Sequence, residues 1–254
     1  VERQLAENRS RARALIMAGQ VRLGDRVIEK AGQQLSPEAE LTVVEPARFV
    51  SRGGEKLDHA LDAFQINVNG LVCADFGAST GGFTDVLLQR GATRIYAIDV
   101  GYGQLDYRLR QDARVNVLER TNIRYLESLP ERVDLVVIDV SFISLRLILP
   151  AALRLLKPEG HVVALIKPQF EAGREQVGKG GVVRDRKVHR AVLERVLAEA
   201  EEIGFKPTGL TRSPITGPAG NIEFLALLER EPAQSADRER MIAVVLEERR
   251  EDRE

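Results

Sequence analysis

From about residue 53 onward, short apolar runs alternate with stretches of helix-forming residues, and this rhythm restricts the chain more than any other feature. Residues 71–76, 94–99, 115–118, 135–140 and 161–167 are runs of the kind a parallel sheet buries on both faces. Helical stretches at 54–64, 83–89, 104–110, 144–156 and 188–203 lie around them, and strand-like runs at 208–211 and 222–228 complete the set. Such alternation predicts an α/β fold, a doubly wound Rossmann-like sheet with right-handed crossovers. Ligands of such folds gather at the carboxyl ends of the strands. Two stretches break the rhythm. Residues 168–186, with Gly173, Gly178, Gly180 and Gly181, lack periodicity and read as a mobile loop of the functional kind. Residues 231–254 form a charged tail with one amphipathic candidate at 241–246, whose role the sequence does not give.

The first 45 residues follow another pattern. Good helix formers run from Ala12 to Ala18, Gly19 stands as a C-cap, two short strands surround a Gly24-Asp25 turn, and 41–44 is a third strand. This small α+β unit is too short to be very stable alone, and 46–52 reads as the linker to a larger domain at 53–230. Its charge also differs. The whole chain has a net charge of −1, which argues against bulk polyanion binding. Yet residues 1–34 set seven cations (Arg3, Arg9, Arg11, Arg13, Arg22, Arg26, Lys30) against four acids (Glu2, Glu7, Asp25, Glu29). Such a run is ordinarily a solvated helix face; its functional meaning is a phosphate-contacting surface. Cys73 is the single cysteine and reads as a buried strand residue, so no intrachain disulfide can form. That usage suits a reducing cytosol. No run approaches the roughly 20 apolar residues of a spanning helix, and nothing resembles a signal peptide. A cytoplasmic protein is expected. The chain opens at Val1 without a methionine, so further N-terminal sequence is expected to precede it.

Asp75-x-Gly77-x-x-x-Gly81-Gly82 follows a strand directly and opens a helix. Glycines there allow a tight turn and a close backbone approach to a ligand. The spacing differs from that of dinucleotide binders, where helix amides hold a pyrophosphate. An acid ahead of the first glycine suits a cationic amino-acid end better than a phosphate, and Asp99, ending the next strand, is placed to accept both ribose hydroxyls. Together they favour S-adenosylmethionine. The candidate cofactor set is Asp75, Gly77, Ala78, Ser79, Thr80, Gly81, Gly82, Asp99, Val100, Asn122 and Asp139. A decoy lies at Gly173-x-x-x-x-Gly178-Lys179, which nearly reproduces a phosphate-binding loop. Residue 180 is Gly rather than the Ser or Thr that magnesium needs, and no obvious helix follows.

Four charges interrupt apolar patterns: Lys56 on the first helix of the larger domain, Asp139 and Lys167 at strand ends, and Glu223 beside the last strand. Strand-end charges often only solvate the rim of a sheet. Asp139 and Lys167, however, follow neighbouring buried strands and should both face the ligand cleft. The ordered set Lys56–Asp139–Lys167–Glu223 resembles the K-D-K-E tetrad of the FtsJ-type ribose 2′-O-methyltransferases. The strings Ser51-Arg52-Gly53-Gly54-Glu55-Lys56-Leu57, Asp139-Val140-Ser141-Phe142-Ile143, Lys167-Pro168-Gln169-Phe170-Glu171 and Gly220-Asn221-Ile222-Glu223-Phe224 resemble the TlyA family. That family is described both as ribosomal RNA 2′-O-methyltransferases and as haemolysins. Ser10-Arg11-Ala12-Arg13-Ala14-Leu15-Ile16 and Gly19-Gln20-Val21 are similar to the S4-type RNA-binding domain, with its first helix shortened.

The resemblance covers roughly residues 1–230 and implies a methyltransferase sheet behind a small RNA-binding domain. It implies transfer of a methyl group from S-adenosylmethionine to a ribose hydroxyl of ribosomal RNA. A ribose 2′-hydroxyl is a poor nucleophile until a base within hydrogen-bond reach takes its proton. Lysine serves only if a neighbouring cation pushes its pKa towards neutrality. Lys167 is assigned as that base, Lys56 as the neighbouring cation, and Asp139 and Glu223 as orienting groups. No metal is needed, and His59, His161 and His189 have no ligand spacing. Arg3, Arg9, Arg11, Arg13, Arg22 and Arg52 are the candidate RNA contacts. Two other readings stay open. A membrane-active haemolysin predicts an exposed amphipathic or spanning segment, which only 241–246 suggests. A non-catalytic RNA-binding protein predicts a dead cofactor site.

Overall fold

The computed structural model describes residues 1–17, 19–24, 26–28, 30–36, 38–44, 47–230 and 236–247. Asp25, Glu29, Ala18 and Pro46, and much of the tail expected at 231–254, lie outside the described residues. The chain divides into two compact units, Val1–Arg48 and Phe49–Glu254.

In the smaller unit, helix α1 (Arg9–Met17) begins where the Asn8 side chain accepts the Arg11 amide at 2.8 Å. It ends at Gly19 with φ +68°, and Gly19 and Gln20 donate back to Ile16 and Leu15. A left-handed residue there is the common way of satisfying the last carbonyls of a helix. Strands β1 (Val21–Leu23), β2 (Arg26–Val27) and β3 (Leu41–Val43) form a sheet in the order β2-β1-β3, with Leu15, Val21 and Ile28 buried between helix and sheet.

The larger unit is one seven-stranded sheet. Its strands are β4 (Val72–Phe76), β5 (Arg94–Ile98), β6 (Val115–Leu118), β7 (Val133–Ile138), β8 (Leu156–Ile166), β9 (Lys206–Arg212) and β10 (Phe224–Glu229), in the order β6-β5-β4-β7-β8-β10-β9. Helices α2 (Gly53–Ala63), α3 (Gly82–Gln89) and α4 (Tyr107–Arg110) supply Leu57, Leu61, Phe83, Leu87 and Leu109 to the core on one face. Helices α5 (Leu149–Leu155), α7 (Arg186–Ile203) and α8 (Arg238–Glu247) supply Leu149, Leu193, Leu197 and Ile242 to the other. Covering both faces explains why the strands read as unbroken apolar runs. The doubly wound sheet expected from the alternation is present, and Cys73 is buried in β4.

The structure departs from the sequence rhythm in three places. No helix separates β9 from β10, so β10 enters antiparallel to β8, with Phe224 opposite Ile166. A parallel partner needs a longer crossover. Residues 168–186 are not a bare loop. Helix α6 (Pro168–Glu171) occupies their start, and Gly178 bridges Val182. Glu171, Val182 and Val183 are buried, and Asn221 grips the far end by accepting from the Val183 amide and donating to the Gly181 carbonyl, each at 2.9 Å. The amphipathic candidate at 241–246 is α8, and Ile242, Val245 and Leu246 are buried in the core. Burying each such side chain contributes about 1.5–3 kcal/mol, and Arg238 adds an ion pair to Glu201 at 2.8 Å. Among the described residues, no helix is long and apolar enough to cross a membrane.

Candidate active site

The carboxyl ends of β4, β7 and β8 open on a cleft of about 680 Å³. Because β10 runs antiparallel, its amino end lies beside the carboxyl end of β8, which sets Glu223 at the same edge as Lys167. The first turn of α2 brings Lys56 to that edge. Lys56 Nζ donates to Glu223 Oε2 at 2.5 Å, and Gln169 Nε2 donates to the other oxygen at 3.3 Å. The Lys56 and Glu223 side chains are 9% and 1% exposed. Lys167 Nζ forms an ion pair with Asp139 Oδ1 at 2.6 Å and donates to Ser141 Oγ at 2.8 Å. All four tetrad residues therefore face one cleft, as two lysine–carboxylate pairs. An isolated charge at this depth would cost several kcal/mol in lost hydration, and pairing offsets much of that cost.

The glycine-rich turn forms the adjoining wall, with Gly77, Ala78, Ser79, Thr80 and Gly82 lining the cleft. Gly77 has φ +85°, and a Cβ there would stand 2.5 Å from the Asp139 carbonyl oxygen. The turn thus lies directly against the backbone at the end of β7, where only glycine fits. Gly81 precedes α3 in a left-handed conformation, φ +97°, and does not line the cleft.

The acids are placed less uniformly. Asp75 is fully buried behind the turn: Thr84 Oγ1 donates to its Oδ2 at 2.6 Å, and its Oδ1 has no hydrogen-bond partner. Burial lifts its carboxyl to about 7 against the Thr84 hydrogen bond, and the charges of Asp139 and Asp99 add to the rise. Asp99 accepts the Ser79 amide at 2.8 Å and the Gly101 amide at 2.6 Å, in a small recess beside Ala78, Gln104 and Glu119. Val100 is 67% exposed next to it. Asn122 is exposed and accepts the Arg124 amide at 3.1 Å, capping the single helical turn Ile123–Tyr125. Asp99 and Asp139 thus flank a turn that carries no lysine or arginine, whereas Asp75, expected to meet a cationic end, is sealed behind the turn and lines neither the cleft nor the recess. That donor set fits a cationic nucleoside and not a pyrophosphate. The decoy glycines at 173–178 hold no phosphate-loop geometry, since Gly178 starts a tight turn back to Val182.

Arg52 lines the cleft and reaches the Thr216 carbonyl at 3.4 Å. Arg3, Arg9, Arg11, Arg13 and Arg22 are exposed on the smaller unit, where Arg3 also donates to the Ala39 carbonyl. Sequence reasoning gave no role to Ser141, Phe142, Gln169 and Phe170, all of which line the cleft. Phe142 is 88% exposed with φ +63°, and its ring centre lies 4.7 Å from that of Phe170. Lys167 Nζ stands 5.8 Å from the Phe170 ring centre. Their neighbourhood to Asp139 and Lys167 in the chain was the available signal; an aromatic held in water is visible only in three dimensions.

Comparison with known proteins agrees with this geometry. The FtsJ-like methyltransferase family matches residues 49–230 and the S4 domain matches residues 1–41. The 16S/23S rRNA (cytidine-2′-O)-methyltransferase TlyA of Mycobacterium tuberculosis is 49% identical over 232 residues, covering 90% of this chain and 87% of that protein. A candidate rRNA methyltransferase of Bacillus subtilis, YqxC, is 50% identical over 258 residues, covering 97% of this chain and 91% of that protein. The solved structure of a candidate hemolysin from Streptococcus thermophilus superposes with a TM-score of 0.75 at 46% identity, covering 96% of this chain and 92% of that one. The chain belongs to the FtsJ-like methyltransferase family and carries an S4 domain at its N-terminus.

Proposed function

We propose that this chain methylates a ribose 2′-hydroxyl of ribosomal RNA, with S-adenosylmethionine as donor. The observation that carries the reading is the meeting of two lysine–carboxylate pairs, one buried and one half-buried, in one cleft beside the glycine-rich turn. The relatives named for ribosomal RNA methylation support the choice of acceptor. The donor supplies an electrophilic methyl on a sulfonium. The turn at 77–82 and Asp99 would hold its cationic and ribose ends, with Val100 and Asn122 near Asp99.

Lys167 acts as the base. Asp139 and Ser141 fix its Nζ from two sides, so the nitrogen faces the cleft in one orientation. In its neutral form, once its ammonium proton has left to solvent, its Nζ takes the hydroxyl proton, and the bound donor would supply the methyl group to the freed oxygen. Lys56, held by Glu223, steadies the hydroxyl oxygen, and Gln169 holds Glu223 in turn. Most of the rate then comes from placement of the reacting atoms in line. Arg52 and the arginines of the S4 domain hold RNA through phosphates, and the work is done in the cytoplasm, on ribosomal subunits. A Lys167→Ala variant should bind S-adenosylmethionine in calorimetric titration as the wild type does, yet transfer no methyl group to ribosomal subunits. Retained transfer would overturn the assignment of the base.

A further inference from the structure

Beyond the cleft wall formed by Gly180 and Gly181, three arginines meet. Arg184, Arg186 and Arg212 converge on a recess of about 80 Å³, floored by His189, Phe224 and the apolar side of α8. Arg184 and Arg186 are exposed and flank Asp185, the N-cap of α7, whose carboxylate accepts the Lys187 amide at 2.8 Å. The first turn of this 18-residue helix carries no acid and begins instead with Arg186 and Lys187. Helix N-termini favour anionic side chains by about 0.3–1 kcal/mol each and disfavour cations to a similar degree. Cations gathered there therefore work against stability. Departures of this kind from local preference concentrate at functional sites.

The position of the recess ties it to the cleft. Asn221 binds both Gly181, in the cleft wall, and Val183, the neighbour of Arg184. The His189 ring nitrogen meets the Val183 carbonyl at 3.1 Å from below. Arg212 pairs in register with Phe224, the residue that follows Glu223. Asn221 and Glu223 line the cleft while Ile222 and Phe224 line the recess, so cleft and recess lie on opposite sides of one short stretch of chain.

We propose that Arg184, Arg186 and Arg212 form a docking site for a phosphodiester of the substrate RNA, next to the nucleotide whose ribose enters the cleft. This rests on the RNA reading above. Guanidinium groups match phosphate oxygens with paired hydrogen bonds, which fixes position as well as charge. Contacts of this type set the register of a nucleic acid and carry no sequence information. The site acts on binding and not on the chemical step.

The test compares wild type with Arg184→Gln/Arg186→Gln, with Arg212→Gln, and with Lys206→Gln, an exposed control at the opposite end of β9. Methyl transfer is measured on ribosomal subunits from a strain lacking the activity, and binding of a fluorescent uridine oligonucleotide is measured against salt. Loss of the docking arginines should raise KM by about tenfold or more with kcat unchanged. It should also reduce the salt slope of binding by about 0.7 for each phosphate that is no longer neutralised. Lys206→Gln should change neither. An active wild type whose arginine variants keep its KM and its salt slope would overturn the docking site. A wild type that leaves subunits unmethylated counts instead against the function proposed above.

Discussion

The Lys56–Glu223 pair can be weighed by a double-mutant cycle. With side chains 9% and 1% exposed and a separation of 2.5 Å, it is a buried ion pair whose members have little water to fall back on. Glu223→Gln leaves the Lys56 ammonium without a counter-charge, and Lys56→Met leaves a carboxylate whose other contact is the 3.3 Å hydrogen bond from Gln169. Removing one partner of a buried pair costs about 3–5 kcal/mol, whereas replacing both with groups of similar volume is often close to neutral. Each single variant should therefore lose about a fifth or more of an ordinary domain stability of roughly 5–15 kcal/mol. The double variant should recover most of that loss, giving a coupling energy of about 5 kcal/mol or more. Urea unfolding followed by circular dichroism, with unchanged slopes, measures each corner of the cycle. All three variants should be inactive in methyl transfer, because stability is restored without the pair proposed to steady the hydroxyl. Additive losses, with a coupling below about 0.5 kcal/mol, would refute the reasoning.

Two further predictions concern groups behind the cleft. Asp75 has a folded-state value of about 7 against an ordinary 3.8, so the folded chain holds a proton that the unfolded chain releases between those values. Its contribution to stability is therefore lost as pH rises through that window, by about 4 kcal/mol in all. The stability difference between wild type and Asp75→Asn should shift in favour of the variant by that order from about pH 4 to about pH 8, and a difference independent of pH would contradict the burial argument. Asn221→Ala removes two hydrogen bonds of 2.9 Å from a residue only 2% exposed. It should cost about 2–3 kcal/mol and speed hydrogen exchange at Gly181 and Val183; unchanged exchange there would show that something else holds the segment.

Much of the larger unit was legible because both of its faces are covered: β4 to β8 read as apolar runs, and a charge ending such a run stands out. Asp139 and Lys167 were visible for that reason, and the structure puts both in the cleft. The pairing itself was not legible. That Lys56 meets Glu223 and Lys167 meets Asp139 depends on β10 running antiparallel beside β8, a register set by contacts far apart in the chain. Residues 168–186 read as shapeless because the contacts that hold Gly181 and Val183 come from Asn221, which follows nearly forty residues later. Local pattern likewise could not tell that α8 packs its apolar side into the core, or that Phe142 stays in water. Arg184 and Arg186 fall in the stretch that reads as a loop, ahead of the helix expected at 188–203, so no local pattern marks the recess they line.

The pairing of each lysine with its own carboxylate has an electrical consequence. Four formal charges at the floor of the cleft sum to nothing, so the floor casts almost no field into the solvent. The cationic donor and the anionic strand proposed above could then share one pocket without either being repelled on approach. Attraction of a polyanion must come from the rim, whose field is screened over about 8–10 Å at ordinary ionic strength. Salt therefore acts on the encounter and leaves the two pairs, and the step they serve, largely untouched.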